Sequence, residues 1–169
     1  MPGREHDRVD EIVAQWRHER SDLDVSSLAL LGRLFRVAHL ADFELAKGTS
    51  AHDLRRGWFD LLAALRRAGA PYELTPTELM QATMLSSGGT TKQLDRLAEA
   101  GLITRRPDPR DRRGTLVRLT AKGRFVFDRA LKTHLADEDR LLQPLNATQR
   151  RQLDRLLRRL LAGLEGPEA

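Results

Sequence analysis

The residues best suited to chemistry form two neighbouring groups in the middle of the chain. The first group is small or hydrogen-bonding and comprises Ser87, Gly88, Thr90, Thr91, Lys92, Gln93 and Arg96. The second group is cationic and comprises Arg105, Arg106, Arg110, Arg112 and Arg113. Side chains of the first kind read base edges in the major groove of DNA, whereas arginines contact phosphates or enter the minor groove. Together the two groups predict recognition of double-stranded DNA.

A first short helix should precede these groups and position them. Thr75 can cap this helix, Pro76 suits its first position, and Glu78 stands three residues after the cap. We expect the helix to end at residues 85–86, where serines begin.

A second short helix should present the first group to solvent. Ser86 or Ser87 can cap it, and the helix is predicted over residues 87–100. Its inner face consists of Leu94, Leu97 and Ala98. Gly101 ends it, because a glycine at this place readily takes the left-handed conformation. Two short helices joined by a tight turn predict a helix-turn-helix.

A β-hairpin with a basic tip should follow the second helix. Residues 102–105 and 116–119 have strand character, and residues 107–114 read P-D-P-R-D-R-R-G, a turn-rich loop. A helix-turn-helix followed by such a hairpin is a winged helix. The predicted DNA contacts are therefore the first group together with Arg110, Arg112 and Arg113.

Apolar spacing predicts further helices on both sides of the winged helix. We expect helices over residues 5–20 and 26–47, a turn at 47–50, and a new helix from Ser50 to about residue 69. Beyond the hairpin, Thr120 should cap a helix that reaches about residue 142, and Asn146 or Thr148 should start the last one.

The predicted fold is therefore mainly α with a small β-hairpin wing. Its predicted domains are N-terminal helices at 1–48, a winged helix-turn-helix at 49–122 and C-terminal helices at 123–169.

Composition and motifs argue against other functions. The chain has 169 residues, no cysteine and a net charge of +5, which allows an anionic partner. It shows no phosphate-binding loop or nucleophile elbow, and its five histidines lack the spacing of metal ligands. We expect no catalysis, no metal and no cofactor. The polar N-terminus and the absence of a long apolar run predict a cytoplasmic protein without a membrane segment.

The last helix has two interpretations. Leucines recur at 3,1,3,1,3 spacing from Leu153 to Leu164, while arginines occupy much of the opposite side. This stripe can cover the chain's own core, or it can form a dimer interface together with the N-terminal helices. A two-fold dimer would suit a pseudo-palindromic operator, because its two halves can enter successive major grooves.

The order of elements and several motifs resemble the MarR family of winged-helix regulators. The motifs are L-T-P-T-E-L at 74–79, L-D-R-L at 94–97, G-L-I at 101–103, D-P-R-D-R-R at 108–113 and L-T-A-K-G at 119–123. The resemblance implies a homodimer held by the terminal helices. It also implies a repressor of transcription, with a wing tipped by Asp111 and Arg113.

A narrower resemblance is to the urate-responsive, PecS-like branch of that family. It rests on Trp16 in an additional first helix, Asp60 before the helix-turn-helix and Arg105 at the start of the wing. This resemblance implies a small anionic aromatic ligand, such as urate, at these three residues. Without a ligand, Asp60 and Arg105 are candidates for an interior ion pair. The alternative to DNA binding is a helical protein–protein interaction module.

Overall fold

A computed structural model of the chain describes residues 6–83, 90–109 and 111–166, without the side chains of Arg56, Arg112 and Arg113. The described residues form, in chain order, α1 (Arg8–Glu19), α2 (Ser26–Ser50), α3 (Arg56–Arg67), β1 (Glu73–Leu74), α4 (Pro76–Ala82), α5 (Thr90–Glu99), β2 (Ile103–Asp108), β3 (Asp111–Leu119), α6 (Ala121–Leu141) and α7 (Ala147–Glu165). This architecture confirms the predicted fold class. No helix within these ranges has the length and apolar character needed to cross a bilayer.

The chain divides into two units, Met1–Glu44 and Leu45–Ala169. In the first unit, Asp7 caps α1 by accepting hydrogen bonds from the backbone N–H groups of Val9 and Asp10. Val9 and Val13 pack with Val25 in a small apolar cluster. This cluster is what joins α1 to the start of α2 within the first unit.

Helix α2 is longer than the sequence predicted. The expected turn at 47–50 is wrong, because α2 continues to Ser50. The hydroxyls of Thr49 and Ser50 donate to the carbonyl of Ala46 at 3.1 and 2.7 Å, so both residues are bonded inside the helix. A side chain on Gly48 would collide with the carboxylate of Asp137, which explains a glycine inside a helix.

The helix predicted to start at Ser50 begins instead at Arg56. Asp53 lies between the two helices with a φ of 58°, a left-handed conformation that a continuous helix cannot contain. Leu54, which was expected inside that helix, precedes it and is nevertheless buried in the core.

The second unit has one apolar core, to which α3, α4, α5, the sheet and α6 all contribute. Its largest fully buried apolar side chains are Leu54, Leu61, Leu62, Leu65, Leu79, Leu97, Ile103, Val117 and Phe127. The rings of Phe59 and Phe127 pack with their centroids 5.2 Å apart, which joins α3 to α6. The helix-turn-helix therefore rests on the same core as the long helix that follows the wing.

Helix α4 confirms its predicted capping. The hydroxyl of Thr75 accepts from the backbone N–H of Glu78, and the carboxylate of Glu78 accepts from the backbone N–H of Thr75. The helix ends at Ala82, three residues earlier than expected. The predicted capping residues Ser86 and Ser87 lie outside the described part of the chain.

The sheet has three strands in the order β1-β3-β2, all antiparallel. The sequence predicted only the hairpin, and it missed β1, which pairs Glu73 with Arg118 and Leu74 with Val117. The hairpin is also longer than predicted, because β2 continues to Asp108 and β3 begins at Asp111. Most of the expected loop at 107–114 is therefore strand.

The end of α5 is bonded directly to the start of α6. Thr120 caps α6 by accepting from the backbone N–H of Gly123 at 2.9 Å, and its hydroxyl donates to the carbonyl of Leu102 at 3.1 Å. The ammonium of Lys122 donates to the carbonyl of Ala100 at 2.8 Å. A side chain on Gly123 would collide with the carbonyl of Leu102. We call this set of contacts the α5–α6 junction.

Helix α7 begins after Asn146, whose side chain accepts from the backbone N–H of Gln149. This contact selects Asn146 over Thr148 as the cap. No residue of α7 is buried, and five of the six leucines in its stripe are 40–76% exposed, whereas Leu157 is half-buried. In the single chain the stripe therefore does not cover the chain's own core.

Candidate nucleic-acid interface and ligand residues

Helix α5 has one exposed face and one buried face. The exposed residues are Thr91, Lys92, Asp95, Arg96 and Glu99. Leu94 and Leu97 are 2% and 0% exposed and attach the helix to the core. Lys92 and Arg96 are one helical turn apart, so their positive charges lie on the same side of α5. This face can approach an anionic surface through hydrogen-bonding and cationic side chains.

Two of the predicted contacts on α5 face the protein rather than solvent. Thr90 is 3% exposed, because it shares the inner face with Leu94 and Leu97 at the i, i+4, i+7 spacing. Gln93 is half-buried, and its amide lies against Gly57 of α3, where an added Cβ atom would require that amide to move. Thr90 lies four residues before Leu94, so the helical spacing of the buried leucines already predicts that Thr90 is on the buried face. Ser87 and Gly88 lie outside the described residues.

The wing is formed by β2 and β3. Arg110 lies outside the described residues, and Arg112 and Arg113 are described only as backbone within β3. Asp111 pairs with Asp108 across the hairpin, next to a register irregularity. A side chain on Gly114 would come within 3.0 Å of the Cβ of Asp108, so glycine suits this close approach.

A carboxylate that the sequence did not single out holds three strands together. Glu73 on β1 is nearly buried, and it accepts from Arg106 Nε on β2 at 3.0 Å. Arg118 Nε on β3 lies 3.4 Å from the same carboxylate. The hydrogen bond from Arg106 holds the pKa of Glu73 below its usual range. The sequence offered no local signal for this contact, because two helices separate Glu73 from the hairpin.

Arg105 pairs with a different carboxylate from the one expected. Its Nη1 atom lies 2.7 Å from Oδ1 of Asp95, on the exposed face of α5. Arg105 therefore has Asp95 as an ion-pair partner, and its candidate pairing with Asp60 stays a prediction. The acidic residue that Arg105 contacts belongs to the helix-turn-helix itself, so the ion pair joins the first strand of the wing to α5.

The three predicted ligand residues lie in two parts of the chain. Trp16 is on α1 in the first unit and is 46% exposed. Asp60 is on α3 in the second unit and is half-buried, next to Phe59 of the core. Arg105 is on β2 with a side chain that is 38% exposed. In the described ranges, no three His, Asp or Glu side chains are grouped as a metal site would require.

Comparison with known proteins gives one consistent result. A MarR family profile matches residues 52–114. The chain is 40% identical to the transcriptional regulator PecS of Dickeya dadantii over 90% of this chain and 92% of that protein. It resembles the structure of a mutant MarR from Escherichia coli with operator DNA, with a TM-score of 0.71, 30% identity and coverage of 81% and 97% of the two chains. A DNA-bound MarR family regulator from Streptomyces coelicolor has a TM-score of 0.76 at 22% identity, covering 87% and 92%, which indicates the shared fold.

Proposed function

Because the chain belongs to the MarR family of winged-helix transcriptional regulators, we propose that it is a ligand-responsive repressor that binds its operator as a homodimer. The observation that carries this proposal is the exposed face of α5, with Lys92 and Arg96 free of the core and a basic hairpin beside it. The relative from Escherichia coli, whose structure contains operator DNA, supports the same use of this module.

The DNA contacts divide into two kinds. Thr91, Lys92 and Arg96 are exposed on α5 and would enter the major groove, where such side chains hydrogen-bond to base edges. Arg110, Arg112 and Arg113 of the hairpin would contact phosphates or the adjacent minor groove. Gln93 would support α5 from its half-buried position on Gly57, and Thr90 would anchor the first turn of that helix.

The exposed apolar stripe of α7 supports the homodimer. Five of the six leucines on this face are exposed, which is costly in water, and a second copy of the same helix can cover them. The exposed apolar residues of α2, among them Phe35 and Phe43, offer a second surface of this kind. A two-fold dimer would place two α5 helices on a pseudo-palindromic operator.

The proposed effector is a small anionic aromatic molecule such as urate at Trp16, Asp60 and Arg105. Trp16 offers a flat face, and Arg105 offers a planar donor pair to an anionic ring edge. A ligand that takes Arg105 would compete with Asp95 for the same guanidinium and so weaken the link between the wing and α5. Release of DNA requires that the ligand bind the DNA-free state more tightly than the DNA-bound state.

The dimer is tested by sedimentation velocity with Leu156→Glu, which places a charge on the exposed stripe of α7. We expect a dimer for the wild type and a monomer for this variant. Gln152→Glu adds the same charge to the same helix, and we expect it to remain dimeric. A monomeric wild type, or a dimer unchanged after deletion of residues 148–169, contradicts the assigned interface.

The effector is tested by gel shift with the DNA upstream of the protein's own gene and increasing urate. Urate should release wild-type protein, and it should release Trp16→Phe, Asp60→Asn and Arg105→Ala less effectively. Arg159→Ala, which removes an exposed arginine of α7, is the matched control for lost charge. Equal release of all five proteins would place the ligand elsewhere, and absence of DNA binding would favour a protein–protein interaction module.

A further inference from the structure

Arg67, the last residue of α3, bonds to the end of another helix. Its guanidinium Nη2 donates to the backbone carbonyl of Ala82 at 2.9 Å, and Ala82 is the last residue of α4. The side chain of Arg67 is exposed, and within the described part of the chain it forms no ion pair. The function proposed above gives this arginine no role, although its contact lies next to the turn of the helix-turn-helix.

Helix α4 ends without a glycine. Thr83 and Met84 follow it in the sequence, whereas a left-handed glycine closes many helices. Thr83 is extended, with φ of −113° and ψ of 151°. The last carbonyls of a helix have no partner inside the helix, so other donors must reach them. The hydroxyl of Thr83 donates to the carbonyl of Leu79 at 3.0 Å, and Arg67 supplies the donor for Ala82.

The positive charge of Arg67 also suits this place. The carbonyl end of a helix carries a partial negative charge, and a cation beside it stabilises the helix. Helix α4 has only seven residues and no basic residue in its own last turn. A helix of this length is marginal by itself and depends on contacts with the rest of the fold. Arg67 of α3 therefore supplies a charge that α4 lacks.

Helix α3 contacts both helices of the helix-turn-helix. Near its start, Gly57 lies against the amide of Gln93 on α5. At its end, Arg67 bonds to α4. These two contacts are about 15 Å apart along α3, at 1.5 Å per residue. Between them, Leu61 and Leu65 are fully buried and fix α3 in the core. Helix α3 is thus a common support for α4 and α5, and Arg67 attaches the end of α4 to it.

We propose that Arg67 is a positioning residue for operator binding. It fixes the end of α4, from which the chain continues to α5, and so sets where the first turn of α5 lies. Helix α5 carries the exposed side chains of Lys92 and Arg96. Hydrogen bonds to base edges require an exact placement of this helix, whereas phosphate contacts by long cationic side chains tolerate a small shift. The effect on DNA rests on the proposed function, but the effect on α4 does not.

The first test is hydrogen–deuterium exchange of the full chain without DNA. Arg67→Gln should raise the exchange rates at residues 79–83 and 90–94 about three- to tenfold, the effect of one lost hydrogen bond at a helix end. Amides of α6 are the internal reference and should keep their rates. Arg67→Lys retains the charge and a donor, so it should restore most of the protection. Arg159→Gln on α7 is the control for lost charge and should match the wild type.

The second test is fluorescence anisotropy with an operator duplex and a random duplex at several salt concentrations. Arg67→Gln should weaken operator binding about three- to tenfold and leave binding to the random duplex unchanged. The slope of log affinity against log salt should stay the same, because no phosphate contact is lost. Arg67→Lys should recover most of the operator affinity. A slope lowered by about 1 would identify Arg67 as a direct phosphate contact and overturn its positioning role.

The outcomes separate this inference from the proposed function. Faster exchange confined to α4 and α5 supports the role of Arg67 in the helix-turn-helix, even if the wild type fails to bind the operator, a failure that refutes the proposed function. Unchanged exchange in Arg67→Gln overturns the inference. Equal acceleration throughout the chain also overturns it, because the arginine then serves only the global stability of the fold. Wild-type operator affinity in Arg67→Gln, with the wild type bound, overturns it as well.

Discussion

Arg105 and Asp95 form an ion pair of 2.7 Å that joins β2 of the wing to the exposed face of α5. Both side chains remain substantially exposed, at 38% and 49%. The pair therefore adds little to the stability of the fold. Its position matters more, because it neutralises the carboxylate that stands between Lys92 and Arg96 in the sequence of α5. The ion pair removes a negative charge from a face that should meet phosphates.

The first prediction concerns this ion pair. Arg105→Gln should lower operator affinity about two- to fivefold at moderate salt, because Asp95 then repels the phosphates. Adding Asp95→Asn to Arg105→Gln should restore most of the lost affinity. Fluorescence anisotropy with a labelled operator measures both effects. A double variant that binds no better than Arg105→Gln would show that Arg105 acts through a contact of its own.

The second prediction concerns the exposed face of α5. Lys92→Ala should weaken operator binding and lower the slope of log affinity against log salt by about 1, as expected for one lost phosphate contact. If Lys92 instead contacts a base, the loss should be about 1–3 kcal/mol and specific to one base pair. Arg159→Ala on α7 is the matched control and should leave affinity unchanged. Equal affinity of Lys92→Ala and wild type would remove α5 from the interface.

The third prediction concerns the wing. Arg113→Ala should weaken binding to the operator and to unrelated DNA by a similar factor, because a phosphate or minor-groove contact is less dependent on sequence. The salt dependence should also become flatter. Competition titrations with specific and random duplexes measure both quantities. Full affinity and an unchanged salt slope in Arg113→Ala would contradict the proposed role of the hairpin tip.

The fourth prediction concerns pH and the Glu73 carboxylate. Arg106 lowers the pKa of Glu73 from its ordinary value of 4.5. The carboxylate therefore stabilises the folded state fully above about pH 4.5, and this contribution is lost as the pH falls through the lowered pKa. Glu73→Gln should reduce the melting temperature at pH 7 by roughly 3 °C. The difference from wild type should shrink below pH 4 in thermal scans, and a constant difference would contradict the assignment.

Local signals in the sequence predicted the N-terminal caps of α4, α6 and α7. Thr75, Thr120 and Asn146 each cap a helix as expected, because a capping side chain needs only its neighbours three residues away. Gly101 adopts a φ of 69° for the same reason. These features depend on a few adjacent residues, so they can be predicted without knowledge of the fold.

Features that depend on distant residues were missed. Strand β1 has only two residues, and it exists because Arg118 and Val117 lie beside it. Helix α2 continues past Lys47 because its end packs with Gly48 against Asp137 of α6. These partners are distant in the sequence, so no local pattern predicts them. At residues 47–50, tertiary contacts overrode the turn that glycine and serine favour.

In the candidate site, too, features set by neighbouring residues were predicted and features set by distant residues were missed. The exposure of Lys92 and Arg96 followed from the spacing of the leucines on α5. The ion-pair partner of Arg105 could not be predicted in this way. Asp95 and Asp60 are both acidic residues on helices before the wing, so the sequence does not distinguish them. Only the path of β2 past α5 decides between them. The role of Trp16 remains a prediction from resemblance.

Gly123 fits closely against Leu102, so a tilt of α6 that preserved this contact would have Gly123 as its pivot. Leu141, at the far end of the helix, is about 27 Å from Gly123 at 1.5 Å per residue. A tilt of about 5° around the pivot would move Leu141 by about 2 Å while displacing Thr120 by only a fraction of an ångström. Such a tilt would move the far end of α6 more than the end of α5, because the far end is more distant from Gly123. In the proposed homodimer, this geometry would let the far end of α6 move relative to the partner while the contacts between α6 and the end of α5 persist.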